Sequence, residues 1–114
     1  MAGEMREFET GATRDTDDGK LDFEGFLSPE VLVSFAKYMH KHRTQADSKL
    51  RSSDNWQKGI PVDAYMKSMW RHFMDVWTLH RGLTPDSGVD MEEALCSVLF
   101  NVQGMLFELL KDKG

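Results

Sequence analysis

The fold is decided by the stretch Tyr65-Met66-Lys67-Ser68-Met69-Trp70-Arg71-His72-Phe73-Met74-Asp75-Val76-Trp77-Thr78-Leu79, which carries apolar side chains around most of a helical circumference. Pro61 and Asp63 are typical of a helix beginning just before this stretch, and Gly82 is typical of its end. A helix that is apolar on most sides is buried on most sides. The stretch therefore predicts a helix in the core of the protein.

Two further helices are predicted on either side of this one. Ser28-Pro29-Glu30 supplies a hydroxyl N-cap, a proline in the first turn and an acid near the helix start, and the apolar period continues to about His42. Asp90 and Glu93 fit a capping box that begins a third helix, which reaches about Lys111. The sequence thus predicts an all-α fold, a small helical bundle of three main helices.

The chain divides by composition into a polar arm and a helical domain. Residues 1–25 predict an extended and partly flexible N-terminal arm, and residues 26–114 predict the bundle domain. Within this region, Leu21 to Leu27 alternate apolar and polar residues, which favours extended chain packed on the bundle. The connection at 43–60 is long for a compact domain, which favours a functional role for it.

Composition limits the class of function. The net charge of -5 argues against binding of polymeric nucleic acid, while a small phosphorylated ligand stays compatible. The single cysteine, Cys96, excludes an intramolecular disulfide and lies in an apolar run typical of a buried, inert thiol. The sequence shows neither a signal peptide nor a membrane span, so we expect no membrane partner and a cytoplasmic location, the host cytoplasm if the protein is viral.

The apolar surface of the predicted helices exceeds what one chain can bury. The second and third helices carry apolar residues on most sides, and a single 114-residue chain offers too little partner surface to cover both. Completion of the bundle by self-association, as a dimer or tetramer, is therefore expected.

Polar side chains interrupt both apolar helices. His72 and Asp75 lie three residues apart on one face of the second helix, with Arg71 beside them. A second stripe, on the third helix, comprises Glu93, Ser97 and Asn101 at steps of four. Because burying an unpaired carboxylate, imidazole or amide is costly, these groups need partners. Facing stripes would form a site inside the bundle.

Each of these residues also has a purely structural interpretation. Arg71 and Asp75 can form an intrahelical ion pair with His72 half exposed, and Glu93 can serve only as the acid of the capping box. Asn101 can be a buried amide satisfied by a neighbouring helix. Gly104 continues the second stripe and would allow close approach of a backbone or a ligand.

Three carboxylates on three helices raise the possibility of a metal site. Mg²⁺ binds oxygen ligands, commonly one or two carboxylates together with substrate phosphates. Glu30, Asp75 and Glu93 are the candidate ligands, although a first-turn acid such as Glu30 is also a common partner of the helix dipole. His40 and His42 lie in a basic stretch at the end of the first helix, which favours a solvated helix end over a zinc site.

Several segments, taken in order, resemble a phage protein family. They are Gly11-Ala12-Thr13-Arg14-Asp15 with Gly19-Lys20, Leu27-Ser28-Pro29-Glu30, Asp54-Asn55-Trp56-Gln57-Lys58-Gly59, Arg71-His72, and Gly88 followed by Glu93-Ala94-Leu95 and Phe100-Asn101. This order is similar to the N-terminal type of dATP/dGTP diphosphohydrolase domain, a family related in fold to the MazG-like all-α nucleotide pyrophosphohydrolases. The resemblance spans about residues 11–109.

The resemblance implies hydrolysis of a (deoxy)nucleoside triphosphate, with dGTP or dATP favoured, to the monophosphate and pyrophosphate. It implies Mg²⁺ or Mn²⁺ as cofactor, which would activate water for attack on the α-phosphorus. Carried over to this chain, the catalytic candidates are Asp75, Glu93 and His72, and the metal ligands are Glu30, Asp75 and Glu93. The substrate-binding candidates are Arg14, Lys20, Trp56, Lys58, Arg71 and Asn101.

The chain departs from the wider MazG pattern in its acids. That pattern pairs E-E-x-x-E on one helix with E-x-x-D on a later one, whereas here Glu30 is followed by no further acid on its helix. Four and eight residues after Glu93 stand Ser97 and Asn101. Two other functions therefore stay open, namely a non-catalytic nucleotide-binding protein and a helical assembly protein.

Overall fold

The computed structural model describes residues 5–113, which form helices with one small sheet. In chain order the elements are β1 (Met5–Glu7), β2 (Thr13–Asp15), α1 (Phe23–Phe26), α2 (Pro29–Lys41), a short 3₁₀ helix (Asn55–Lys58), α3 (Val62–His80) and α4 (Met91–Lys113). The helices account for 58% of the structure, which confirms the predicted all-α class.

The three main helices begin and end close to the predicted positions. The Ser28 hydroxyl accepts a hydrogen bond from the Val31 N–H at 3.2 Å, and the Asp90 carboxylate accepts one from the Glu93 N–H at 2.9 Å. Gly82 lies just beyond α3 with a φ of 77°, a left-handed conformation that glycine adopts without strain. The capping box is only half formed, because the Glu93 carboxylate bonds to side chains at the end of α2 instead.

Helix α4 is the element on which the others pack. It lies against α3 over an extended interface and against α2 near its own N-terminal end. The Tyr65 ring of α3 is 2% exposed and fills the space above Gly104, where an added Cβ would overlap the ring. The close approach predicted at Gly104 is therefore made by this ring. Cys96 is buried, as predicted for an inert thiol.

The N-terminal region contains more structure than its composition predicted. Strands β1 and β2 pair antiparallel with Met5 opposite Asp15, and within residues 5–113 neither strand packs on a main helix. The extended chain predicted at Leu21–Leu27 is wrong, because residues 23–26 form the helix α1. This helix forms because it has an N-cap: the Asp22 carboxylate accepts a hydrogen bond from the Gly25 N–H at 2.9 Å.

The long connection between α2 and α3 is closed on itself and packed on α4. Arg43 and Arg51 are joined twice, by a bond from the Arg51 N–H to the Arg43 carbonyl and one from Arg43 Nε to the Arg51 carbonyl, each 2.9 Å long. Further along, the Trp56 ring meets the rings of Phe107 and Phe100 edge-on, with centroids 4.9 and 6.4 Å away. These contacts place the connection over one face of α4.

The chain has much more surface than a compact protein of its size. Its accessible area is 9269 Å², whereas a compact monomer of 13.1 kDa is expected to expose roughly 6,400 Å². Its radius of gyration is 19.8 Å, against about 13 Å for a compact domain of some 100 residues. By length and composition alone, α4 would suffice to cross a membrane, a property it shares with core helices of soluble proteins.

Candidate functional site

A cavity of about 260 Å³ lies where α2, the 43–60 connection, α3 and α4 meet, and we call it the central cavity. Three aromatic side chains line it, namely Tyr38 from α2, Trp56 from the 3₁₀ helix and Phe100 from α4. Ligand pockets commonly measure about 300–1,000 Å³. The central cavity is therefore of a size to enclose part of a nucleotide, with the remainder extending into solvent.

Basic and imidazole groups gather on the same cavity. They are His42, Arg43, Arg51 and His72. A guanidinium carries five N–H groups. Arg43 uses its Nε–H on the Arg51 carbonyl, and among the described residues its terminal N–H groups have no hydrogen-bond partner, so they can bind an anion. The Tyr38 ring lies 4.5 Å from the His42 ring, centroid to centroid, and holds that imidazole at the cavity. The arrangement suits a phosphorylated ligand.

Asn101 forms part of the buried floor of the cavity. It is 2% exposed, and its Nδ2 donates a 2.7 Å hydrogen bond to the Ser97 carbonyl. The partner is thus one turn back on the same helix, not on a neighbouring helix as the structural interpretation of the sequence held. The Ser97 hydroxyl lies 2.9 Å from both the Tyr38 hydroxyl and the Glu93 carbonyl, which ties α2 to α4 beneath the cavity.

His72 lines the cavity and is half-buried. Burial lowers the pKa of this imidazole below its ordinary value, and the nearby charges of Arg71 and His42 lower it further, against an opposing effect of Asp75. A neutral imidazole has one ring nitrogen free to accept a proton. His72 is therefore chemically suited to take a proton from water near neutral pH.

Glu93 lies beside the cavity and is held by two partners from the end of α2. Its Oε1 is 2.7 Å from Lys41 Nζ and 3.3 Å from His42 Nε2. The Lys41 hydrogen bond lowers the pKa of the Glu93 carboxyl, burial opposes this, and the His42 hydrogen bond adds to the lowering. Glu93 is therefore ionised at neutral pH, and through His42 it is connected to the cavity.

The three predicted metal ligands lie apart and have separate surroundings. Asp75 accepts a 3.0 Å hydrogen bond from the Ser87 hydroxyl, and the Arg71–Asp75 ion pair is absent from the pairs formed within residues 5–113. Glu30 is exposed in the first turn of α2. Among the described residues no group of three His, Cys, Asp or Glu side chains is arranged to hold a metal ion. The predicted carboxylates therefore do not fit a three-ligand site within one chain.

The structure divides the remaining sequence candidates into two groups. Trp56, His72 and Asn101 line the central cavity together. The other predicted substrate-binding residues, which do not line it, are Arg14, Lys20, Lys58 and Arg71. Arg14 belongs to β2, and Lys20 precedes α1 in an exposed turn. The cavity is therefore lined by none of the four cationic residues that the resemblance implied.

Sequence reasoning missed the residues that make the cavity basic. Arg43 and Arg51 were part of a polar connection with no motif, and His42 was assigned to a solvated helix end. The two hydrogen bonds between Arg43 and Arg51 join residues eight apart in sequence, and both are accepted by backbone carbonyls. Because every residue has a backbone carbonyl, no pattern of side chains in the sequence predicts these bonds. The only available signal was the length of the connection.

Comparisons with protein-family models, with curated proteins and with solved structures gave no match to this chain. The fold and the cavity are therefore the basis on which its function is argued.

Proposed function

We propose that the protein binds a (deoxy)nucleoside triphosphate, with dGTP or dATP favoured, in the central cavity and hydrolyses it to the monophosphate and pyrophosphate. The observation that carries the proposal is that Arg43, Arg51 and Trp56 all line one cavity. Guanidinium groups bind phosphate oxygens in paired hydrogen bonds, and an indole ring stacks on a base. The net charge of -5 gives no general affinity for phosphate polymers, so the basic groups of this cavity act locally.

The residues of the cavity support distinct roles in this reaction. Neutral His72 accepts a proton from the attacking water as its oxygen bonds to the α-phosphorus, and the bond from that phosphorus to the bridging oxygen breaks. Arg43 and Arg51 stabilise the negative charge that develops on the departing pyrophosphate. Asn101, fixed by its bond to the Ser97 carbonyl, orients the ligand through its remaining polar atom.

The proposal includes Mg²⁺ or Mn²⁺ as a component of the substrate. A metal–triphosphate complex commonly takes only one or two carboxylates from the protein. Both partners of Glu93 bind its Oε1, so Oε2 has no bonding partner within residues 5–113. Glu93 does not itself line the central cavity, but it contacts His42, which does, and this makes it the carboxylate that we propose contacts such a complex.

The test is incubation of the full chain with each (d)NTP and Mg²⁺ or Mn²⁺, scored for pyrophosphate and monophosphate. We expect Arg51→Ala to raise KM at least about tenfold, a loss of roughly 1.4 kcal/mol of binding. Its backbone carbonyl, which holds Arg43, is retained. His72→Gln should lower kcat by about 100-fold, as for removal of a general base. The matched control is Lys67→Ala, an exposed charge on α3 outside the cavity.

A second function is favoured by one observation, the separation of the three carboxylates. If the wild-type chain is thermally stabilised by dGTP or dATP without forming product, and Arg51→Ala abolishes that stabilisation, the protein is a non-catalytic nucleotide-binding protein. Absence of both turnover and stabilisation would reject the nucleotide site altogether and leave the role of a helical assembly protein.

A further inference from the structure

Two stripes of exposed apolar side chains run along α3 and α4. On α3 the stripe comprises Met66, Trp70, Phe73 and Trp77, at steps of four, three and four. On α4 it comprises Leu95, Leu99, Val102, Leu106 and Leu109, at steps of four, three, four and three. Each of these side chains is between 37% and 62% exposed. Alternating steps of three and four are the spacing of helices that pack side by side in bundles.

The two stripes belong to one continuous face. A groove of about 220 Å³ between α3 and α4 is lined by Met69, Trp70, Phe73 and Val98 and is almost wholly apolar. Trp70 and Phe73 belong to the α3 stripe, and Val98 lies one helical turn from Leu95 and from Val102 of the α4 stripe. We call the two stripes and the groove between them the outer face.

The chemistry of the outer face differs from that of a solvated helix pair. Residues 94–107 of α4 contain no charged side chain. A helix that faces water on one side normally carries charge there. The accessible area of the chain also exceeds that of a compact monomer by roughly 2,900 Å². The outer face contributes part of this surplus, and the β1–β2 hairpin contributes another part. Stable dimers of the obligate kind bury about 2,000–5,000 Å² in total, so each copy would need to bury about 1,000 Å² or more of its outer face.

We propose that the outer face binds the same face of a second copy of this chain, so that two α3–α4 pairs form one four-helix bundle. A twofold-symmetric contact presents each copy with the same heptad-spaced stripes, which is the self-complementary arrangement that such a contact requires. The central cavity is lined by Trp56, His72 and Phe100, none of which belongs to the outer face, so pairing through the outer face leaves these residues uncovered.

A membrane is the competing occupant of the outer face. Insertion of α4 would have to place Glu93, Asn101 and Glu108 in hydrocarbon, because they lie along the same helix. Glu93 and Asn101 already have partners within the protein. Pairing of two copies covers the stripe and leaves these contacts intact, which favours the second copy.

The test is sedimentation velocity of the full chain over a range of micromolar concentrations. We expect a species of twice the 13.1 kDa chain mass. Leu106→Glu, at a stripe position 50% exposed, should sediment as a single chain with its helical circular dichroism retained. The matched control is Leu32→Glu on α2, 49% exposed and outside the face, which should stay dimeric.

A milder variant keeps the test informative if the introduced charge disturbs folding. Leu106→Ala removes apolar surface without adding charge and should raise the dissociation constant of the dimer by about tenfold or more. A wild-type chain that sediments at 13.1 kDa at all concentrations would overturn the proposal, as would equal dissociation of Leu106→Glu and Leu32→Glu. A monomeric chain that co-sediments with phosphatidylcholine vesicles would assign the outer face to a membrane instead.

Discussion

At the scale of single residues, the side chain of Glu93 has a different role in the structure from the one that its sequence motif predicts. The motif predicted an acid that bonds back to the start of its own helix. In the structure its backbone N–H uses the Asp90 cap, while its carboxylate bonds to Lys41 and His42 at the end of α2. The residue thus begins α4 and also joins it to another helix.

The stability of this contact depends on pH in a defined direction. The Lys41 hydrogen bond lowers the pKa of Glu93 in the folded protein, so the ionised carboxylate contributes stability above its ordinary value of 4.5. That contribution is lost as the pH falls through the lowered folded value. We therefore expect Glu93→Gln to lower the thermal midpoint at pH 7, and the difference from wild type to shrink as the pH falls below 4.5.

Thermal denaturation followed by circular dichroism at a series of pH values measures this difference. Glu92→Gln is the control, because Glu92 accepts its hydrogen bond from the neutral Ser34 hydroxyl rather than from a cation. If the difference in thermal midpoint between Glu93→Gln and wild type does not decrease at any acid pH at which both proteins still fold, the assigned cause is contradicted.

The candidate site was only partly predictable at this scale. Trp56, His72 and Asn101 stood out because an aromatic in a polar connection and polar groups in apolar helices are conspicuous. Arg43 and Arg51 did not, since an arginine in a polar loop is ordinary and only the folded backbone brings the two together. Asp75 was equally conspicuous in the sequence, but in the structure its carboxylate accepts a hydrogen bond from the Ser87 hydroxyl and does not line the central cavity.

At the scale of elements, the packing of α3 on α4 depends on one close approach. Tyr65 occupies the space where residue 104 would carry a side chain. An alanine in a helix interior is normally favoured over glycine by about 1 kcal/mol. Here we expect the opposite, since the added methyl group overlaps a ring that is 2% exposed and has little room to move.

We predict that Gly104→Ala lowers the free energy of unfolding by about 1–3 kcal/mol, the usual effect of overpacking. Urea denaturation measures the change. Gln103→Ala, one position earlier on the same helix, is the matched control and should change the value by no more than about 0.5 kcal/mol. A Gly104→Ala protein as stable as Gln103→Ala would show that α3 and α4 can separate at no cost.

The elements themselves were predictable to different degrees. α2, α3 and α4 followed from their apolar period and their end signals, because Ser28, Asp90 and Gly82 act locally on the backbone. Helix α1 was missed, because four residues are too few for a helical period to show and Leu21–Leu27 alternates like a strand. The β1–β2 hairpin was missed, because the polar composition of this region is typical of a flexible arm and strands of three residues are too short to show an alternating pattern.

At the scale of the whole molecule, the hairpin and the helices behave as separate parts. Neither strand packs on a main helix within residues 5–113. We therefore predict that removal of residues 1–16 leaves the free energy of unfolding of the helices within about 0.5 kcal/mol of the full chain. Circular dichroism during urea denaturation tests this, and a clear loss of helical cooperativity would contradict it.

The same truncation reports on the role of Arg14 in the proposed reaction. Within one chain Arg14 does not line the central cavity, so a purely intrachain site should keep its KM for the triphosphate. A raised KM with unchanged stability would mean that the arm contributes to the site of a neighbouring subunit. Self-association is a prediction from the apolar content alone, whereas the stripes proposed to carry it could be named only once the exposed side chains were known.

The Lys41–Glu93 ion pair also depends on the direction of the two helices that carry it. Lys41 is the last residue of α2, where the helix dipole is negative, and Glu93 lies in the first turn of α4, where it is positive. Each charge is therefore favoured by its own helix as well as by its partner. An exchange of the two residues would preserve their mutual attraction but place each charge at the helix end that disfavours it, so we expect the exchanged pair to stabilise the contact less than the native one.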